Sequence, residues 1–229
     1  DKVNFEFKKL KRSFLSEPLK LKNTATYGPL KYFDYLGAGV LSLIVFFVVI
    51  MAPALNIISE KEKNTLYRVS TTPISNFTFF VGKFLMFACF VFLEMIYTLI
   101  LAIWLYDLRI EGSIYSVIFI LFLLTCASIS IGLWISSKIK SMQQALVIVP
   151  LIVIPSFLIS HAFFPADIMP DFMNYIAYIT PMTFSNHALN AIMIKGFSLN
   201  QVMPDILALL GFLFIPLILF IQSFKKIKY

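Results

Sequence analysis

An all-α polytopic membrane bundle is the fold class this sequence predicts, and three observations carry it. Of its 229 residues, 59% are hydrophobic and 14% charged, and the mean hydropathy is +0.86. Soluble domains sit nearer ~45–50% apolar and ~25% charged. Five runs reach the length of about 20 mainly apolar residues that a crossing helix needs. None of them breaks into the short alternating segments of a transmembrane barrel.

The first span runs from Leu36 to Ile58, with Pro53 near its end. The second covers about Phe77 to Tyr106, long enough to tilt in the bilayer. The third is Ile114 to Ile135, and the fourth is Ala145 to Phe164 with Pro150 and Pro155 inside it. The fifth is roughly Ile206 to Ile221, with Gly211 and Pro216. The domain expectation is a transmembrane unit over 32–229, preceded at 1–31 by the tail of an extracytoplasmic domain. Residue 1 is Asp and the alternation Val3, Phe5, Phe7 has the look of a closing strand, so a missing earlier part and one more span are expected. A basic interfacial helix is the other reading of 1–31.

A length of 229 residues leaves no room for a separate soluble catalytic domain beside five spans. Cys89 and Cys126 both fall inside apolar runs, which suits buried free thiols rather than a metal or disulfide framework. The net charge of +7 reports loop orientation more readily than nucleic-acid binding.

Between the first two spans lies a charged island, Ser59-Glu60-Lys61-Glu62-Lys63-Asn64-Thr65-Leu66-Tyr67-Arg68, followed by Thr72-Pro73-Ile74-Ser75 and Gly82-Lys83. Placed inside, that face holds Lys61, Lys63, Arg68, Lys83, Lys138, Lys140, Lys225, Lys226 and Lys228, against Arg109 and Lys195 outside. This bias puts the island and the C-terminus in the cytoplasm. The eight basic residues within 1–31 argue the other way, unless they belong to a translocated domain that escapes the rule. The alternating charges Glu60 to Lys63 can pair at helical spacing. Thr65 to Thr72 can form a short amphipathic helix along the membrane, ended by Pro73, with Ser75 or Asn76 capping the next span.

Glu94 lies deep in the second span. A mid-membrane carboxylate costs roughly 2.5–3.5 kcal/mol on insertion scales, so it should face protein or water. It is either a polar point on a transport path or an acid that ties helices together. Residues 161–204 are too apolar for a plain loop and predict short re-entrant or interfacial helices over the outer mouth. His161 and His187 are lone histidines without companions for a metal site. The sequence contains no phosphate-binding loop of the G-x-x-x-x-G-K-[ST] type, so it predicts no nucleotide site of that kind and no catalytic residue.

The order of these residues resembles the type-two ATP-binding-cassette (ABC) export permeases. Their coupling segment typically reads Glu-(Lys/Arg)-Glu-x-Gly-Thr-Leu, then (Ser/Thr)-Pro-(Ile/Val)-Ser, then Gly-Lys. Glu60, Lys61, Glu62, Thr65, Leu66, Thr72, Pro73, Ile74, Ser75, Gly82 and Lys83 match, with Asn64 in the usual glycine position. Phe164-Pro165 to Pro170, Thr180-Pro181-Met182-Thr183-Phe184 and Lys195-Gly196 are similar to the family's outer elements, as Tyr27-Gly28-Pro29 is to its approach to the second span. The resemblance covers about residues 27–222.

It implies the C-terminal five-span portion of a bacterial multidrug-type exporter permease in the plasma membrane. It also implies docking of a separate cytoplasmic ATPase, which carries the ATP and magnesium, onto Glu60, Lys61, Glu62, Thr65, Leu66, Arg68, Pro73 and Lys83. Lys138 and Lys140 form a secondary coupling loop, equally readable as a plain basic turn. Glu94 becomes a point on the substrate path, and Phe164, Pro165, Pro170 and Pro181 form an outer gate region. The implied partners are the ATPase, a second permease chain and membrane lipid. The implied cargo is a drug, antimicrobial peptide, lipid or glycan. An ion-gradient transporter using Glu94 and a non-transporting scaffold or sensor are the competing readings.

Overall fold

The computed structural model describes residues 32–63, 65, 76–106, 108, 110–164 and 166–225. Among them the helices are α1 (Tyr32–Glu62), α2 (Asn76–Tyr106), α3 (Ile114–Lys138), α4 (Met142–Ile159), α5 (Asp171–Ala177), α6 (Pro181–Met193) and α7 (Met203–Lys225). Short 3-10 turns stand at Ala166–Ile168 and Leu199–Val202. No strand occurs among the described residues. Helices α1, α2, α3, α4 and α7 are long and apolar enough to cross a membrane. The fold is thus an all-α polytopic bundle. The alternation at Val3 to Phe7 and nearly all of the expected helix over Thr65 to Thr72 lie outside the described residues.

Helix boundaries differ from the apolar runs in instructive ways. Helix α1 continues through Ser59 and Glu60 to Glu62, so the first half of the island is helix rather than loop. At about 1.5 Å per residue, the 31 residues of α1 span ~46 Å, against ~30 Å of hydrocarbon. Its charged tip therefore extends the helix into water instead of ending it. Helix α4 starts at Met142 and stops at Ile159, five residues short of Phe164. His161 takes a left-handed conformation at φ 56°, which turns the chain away. Its carbonyl accepts from the Tyr35 hydroxyl at 2.5 Å, and its Nε2 donates to Asn174 Oδ1 at 2.9 Å. Helix α7 reaches from Met203 to Lys225, beyond its apolar run at both ends.

Helix α3 is the hub. It packs against α1, α2, α6 and α7, and Val117, Ile120, Leu121, Leu124, Ile129 and Leu133 are buried along it. Its small residues permit that central position. Ser128 and Ser130 return their hydroxyls to the carbonyls of Leu124 and Cys126, so neither is left unpaired in an apolar interior. A Cβ on Gly132 would stand 2.7 Å from the Ile50 carbonyl oxygen and 2.8 Å from Pro53 Cγ. The absence of a side chain there lets α3 lie directly against the proline-bearing turn of α1.

At the periphery, α2 turns Leu85, Phe90, Leu93 and Trp104 outward, and α4 exposes Leu146, Val147, Leu151 and Ile154. Apolar faces of this kind suit lipid. Cys126 is buried as expected, but Cys89 is exposed on α2. That corrects the sequence reading: apolar periodicity does not distinguish a lipid-facing position from a core one.

The expectation of short helices between the fourth and fifth spans holds, but the two differ in depth. Helix α5 is largely exposed, whereas α6 is buried along most of its length against α1, α3 and α7. Ser185 shares a 3.1 Å hydrogen bond with Ser42 of α1. Asn186 donates to the carbonyl and the hydroxyl of Ser160 at 3.2 and 2.9 Å. Gly196, at φ +67°, then turns the chain so that its N–H and that of Phe197 reach the Ile192 and Ala191 carbonyls.

Candidate functional site

The spans alternate in direction, so the C-termini of α1, α3 and α7 share one end with the N-termini of α2 and α4. At this charged end, successive residues of α1 reach three neighbouring helices. Glu60 pairs with Lys83 of α2, and the Lys83 ammonium also donates to Asn56 Oδ1, one turn earlier on α1, at 2.9 Å. Lys61 donates to the carbonyls of Ser136 at 2.5 Å and Ile139 at 3.4 Å, where α3 ends. Glu62 Oε1 accepts from the Met142 N–H at 2.9 Å, where α4 begins.

The electrostatics are consistent with helix polarity. The last carbonyls of a helix carry partial negative charge and the first N–H groups partial positive charge. Lys61 meets a C-terminus and Glu62, its neighbour, meets an N-terminus. Each contact of this kind contributes ~0.3–1 kcal/mol at exposed sites. Ser141 adds its own cap by accepting from the Gln144 N–H at 3.3 Å. Thr65 donates its hydroxyl to the Glu60 carbonyl at 3.0 Å and closes the end of α1.

Glu60, Lys61, Glu62, Thr65 and Lys83 are thus brought into one cluster. The expected pairing within Glu60 to Lys63 is replaced by pairing across helices, because a neighbouring ammonium and two helix ends lie within reach. Leu66, Arg68 and Pro73 fall outside the described residues. Lys138 and Lys140 flank the buried Ile139 with exposed side chains. Asn56 was missed in the sequence reading, although its spacing of four from Glu60 is the pattern that puts two side chains on one helix face.

At the opposite end the expected gate residues are scattered. Phe164 is exposed and meets Phe163 edge-on at 5.2 Å. Pro170 precedes α5 at the surface, and Pro181 opens α6 in the buried interior. Pro165 lies outside the described residues. A pair not foreseen stands there instead: His187 Nδ1 of α6 lies 2.8 Å from Asp205 Oδ2 in the first turn of α7. The bond to the Asp205 carboxylate raises the His187 pKa above the usual imidazole value, with the carboxylate charge adding to it and burial and Lys195 opposing. No group of three or more metal-ligating side chains occurs among the described residues.

Glu94 sits in mid-α2, half-buried, and accepts from the Thr98 hydroxyl through Oε1 at 3.1 Å. It faces a cleft between α1 and α2 rather than the outward face of α2.

Comparison with known proteins now adds to this geometry. Residues 8–194 match the family described as ABC-2 type transporter. The chain belongs to the ABC-2 type transporter family. The family match takes in α1 to α6, including the cluster at the charged end and Glu94, and stops one residue after α6. Among its relatives, the probable multidrug ABC transporter permease YbhR of Escherichia coli is 25% identical over 185 residues, 80% of this chain and 50% of that protein. ABC transporter G family member 20 of Dictyostelium discoideum is 25% identical over 80% of this chain and 25% of its own length. The linearmycin resistance permease protein LnrN of Bacillus subtilis is 28% identical over 171 residues, 74% of this chain and 43% of its own. The chain spans about half the length or less of the curated relatives it matches.

Proposed function

We propose that this chain is the membrane-spanning portion of an ABC exporter permease, driven by a separate ATPase that docks at the charged end. The observation that carries this reading is the cluster around Glu60, Lys61 and Glu62. One stretch of α1 holds α2 through Lys83, the end of α3 through Lys61 and the start of α4 through Glu62. A push on the island is then delivered to four spans together, as a rigid-body change between two states requires. The segment from Leu66 to Pro73 would be the part touched, Glu60 to Glu62 the part that transmits, and the exposed Lys138 and Lys140 a second contact.

In this reading the charged end is cytoplasmic, and α5 and α6 close the bundle on the outside of the plasma membrane. Two permease chains, identical or related, pair and engage two ATPase subunits, which bring the ATP and magnesium. The names of YbhR and LnrN, multidrug and linearmycin resistance permeases, favour export of drugs or antimicrobial compounds.

The test is to express the permease with the ATPase encoded beside it and measure complex formation and ATP-dependent export in proteoliposomes. The complex should form. Glu62→Arg, which sets a cation against the start of α4, should leave the complex largely intact while reducing export at least tenfold. Absence of any complex, or full export by Glu62→Arg, sinks the proposal. Gradient-driven uptake without an ATPase, lost in Glu94→Gln, would establish the secondary transporter instead.

A further inference from the structure

We propose that the cleft between α1 and α2 is a binding site for a hydrophobic organic monocation, with Glu94 as its counter-ion. The cleft encloses about 640 Å³, within the ~300–1,000 Å³ typical of drug-sized sites. Its walls are Leu36, Val40 and Ile44 from α1 and Tyr97, Leu101 and Leu105 from α2. No Lys, Arg or His lines it among the described residues. Glu94 supplies its carboxylate: Oε1 is held by Thr98, and Oε2 is buried without a hydrogen-bond partner among the described residues.

Four physical arguments fix the ligand class. Greasy walls of this area favour an apolar body over a hydrated one. A buried carboxylate oxygen with no donor is satisfied by a positive charge and repels an anion. Low surrounding polarity strengthens that attraction relative to water. The Tyr97 ring in the wall adds a face that attracts cations. A bare metal ion fits poorly, because hard cations take six or more oxygens and Glu94 with Thr98 offers three. A delocalised onium or alkylated amine fits better, since its charge needs one counter-ion and no coordination shell.

The proposal deepens the exporter reading and rests on it only for the direction of movement. Binding itself needs no ATPase, which keeps the two separable. The permease, in its full natural length and reconstituted in lipid nanodiscs, is titrated with radiolabelled tetraphenylphosphonium and, separately, tetraphenylborate. These ions share size and shape and differ in the sign of their charge. Saturable binding of tetraphenylphosphonium is expected, at least tenfold tighter than any binding of tetraphenylborate. Glu94→Gln should weaken it at least tenfold, Glu94→Asp should weaken it less, and Leu101→Trp should block it by filling the cleft.

Elution of each variant as the same monodisperse species keeps misfolding apart from lost binding. Equal binding of both ions, or unchanged binding in Glu94→Gln, overturns the proposal by making the cleft a mere greasy surface. Absence of saturable binding overturns it too, as it would if another span of the full chain fills the cleft. If the cation does not bind while ATP-driven export of another compound persists, only the ligand class falls. If it binds and no ATP-driven export is found, the exporter reading falls and the site stands.

Discussion

Lys83 illustrates how residue-scale chemistry shapes the charged end. Two α1 side chains one turn apart, Asn56 and Glu60, converge on its ammonium, so α2 is fixed both along and around α1. Lys83→Ala should cost roughly 1.5–3 kcal/mol, the scale of a hydrogen bond to a charged group, read as a lowered melting temperature in detergent. The charge-exchanged double variant Glu60→Lys with Lys83→Glu should recover part of that loss, whereas Lys83→Glu alone should not. His187 gives a second prediction at this scale. Its folded pKa lies above its unfolded one, so its stabilisation is complete below the unfolded value near 6.5 and is lost as pH rises through the folded value. The wild type should therefore lose more stability than Asp205→Asn between about pH 6 and about pH 9, measured by thermal melts. Much of the charged cluster was legible in the sequence, because Glu60, Lys61, Glu62 and Lys83 stand out against apolar runs. Their partners were not, since backbone groups at helix ends carry no residue signature.

Among the elements, the contact of α1 with α3 depends on one missing side chain. Gly132→Ala places a methyl 2.7 Å from a backbone carbonyl and against the Pro53 ring, neither of which can rotate aside. The helices must separate, at a cost of about 1–3 kcal/mol typical of overpacking. Gly211 in α7 has nothing within 4 Å of such a methyl, so Gly211→Ala should be neutral or stabilising by up to about 1 kcal/mol. Opposite shifts in melting temperature from the same chemical change check this pair; equal shifts would contradict it. Five spans were readable from length and apolarity, whereas the inserted depth of α6 was not. Its residues read as part of a short re-entrant or interfacial helix, and only packing against α1, α3 and α7 makes Thr183, Ser185 and Asn186 interior.

For the whole molecule, the proposed cytoplasmic placement of the charged end rests on the charge bias of cytoplasmic loops. In a Cys89→Ser background, Lys138→Cys should resist a membrane-impermeant maleimide in intact cells, and Tyr175→Cys on exposed α5 should react. The reverse pattern would invert the bundle. The cleft beside Glu94 belongs to this scale as well, because it forms from the start of α1 and the end of α2, segments far apart in sequence.

The sequence by itself determined the all-α membrane class, the five crossings, the charged island and the family, because lipid exacts long apolar runs and confines charges to their ends. The tertiary structure alone decided what those charges hold. It set Lys61 and Glu62 against two opposite helix ends, paired His187 with Asp205, and opened an apolar cleft onto Glu94. The physical reason is that hydropathy is a property of segments, whereas a hydrogen bond to a carbonyl or a cavity wall depends on distances that exist only after the helices have packed.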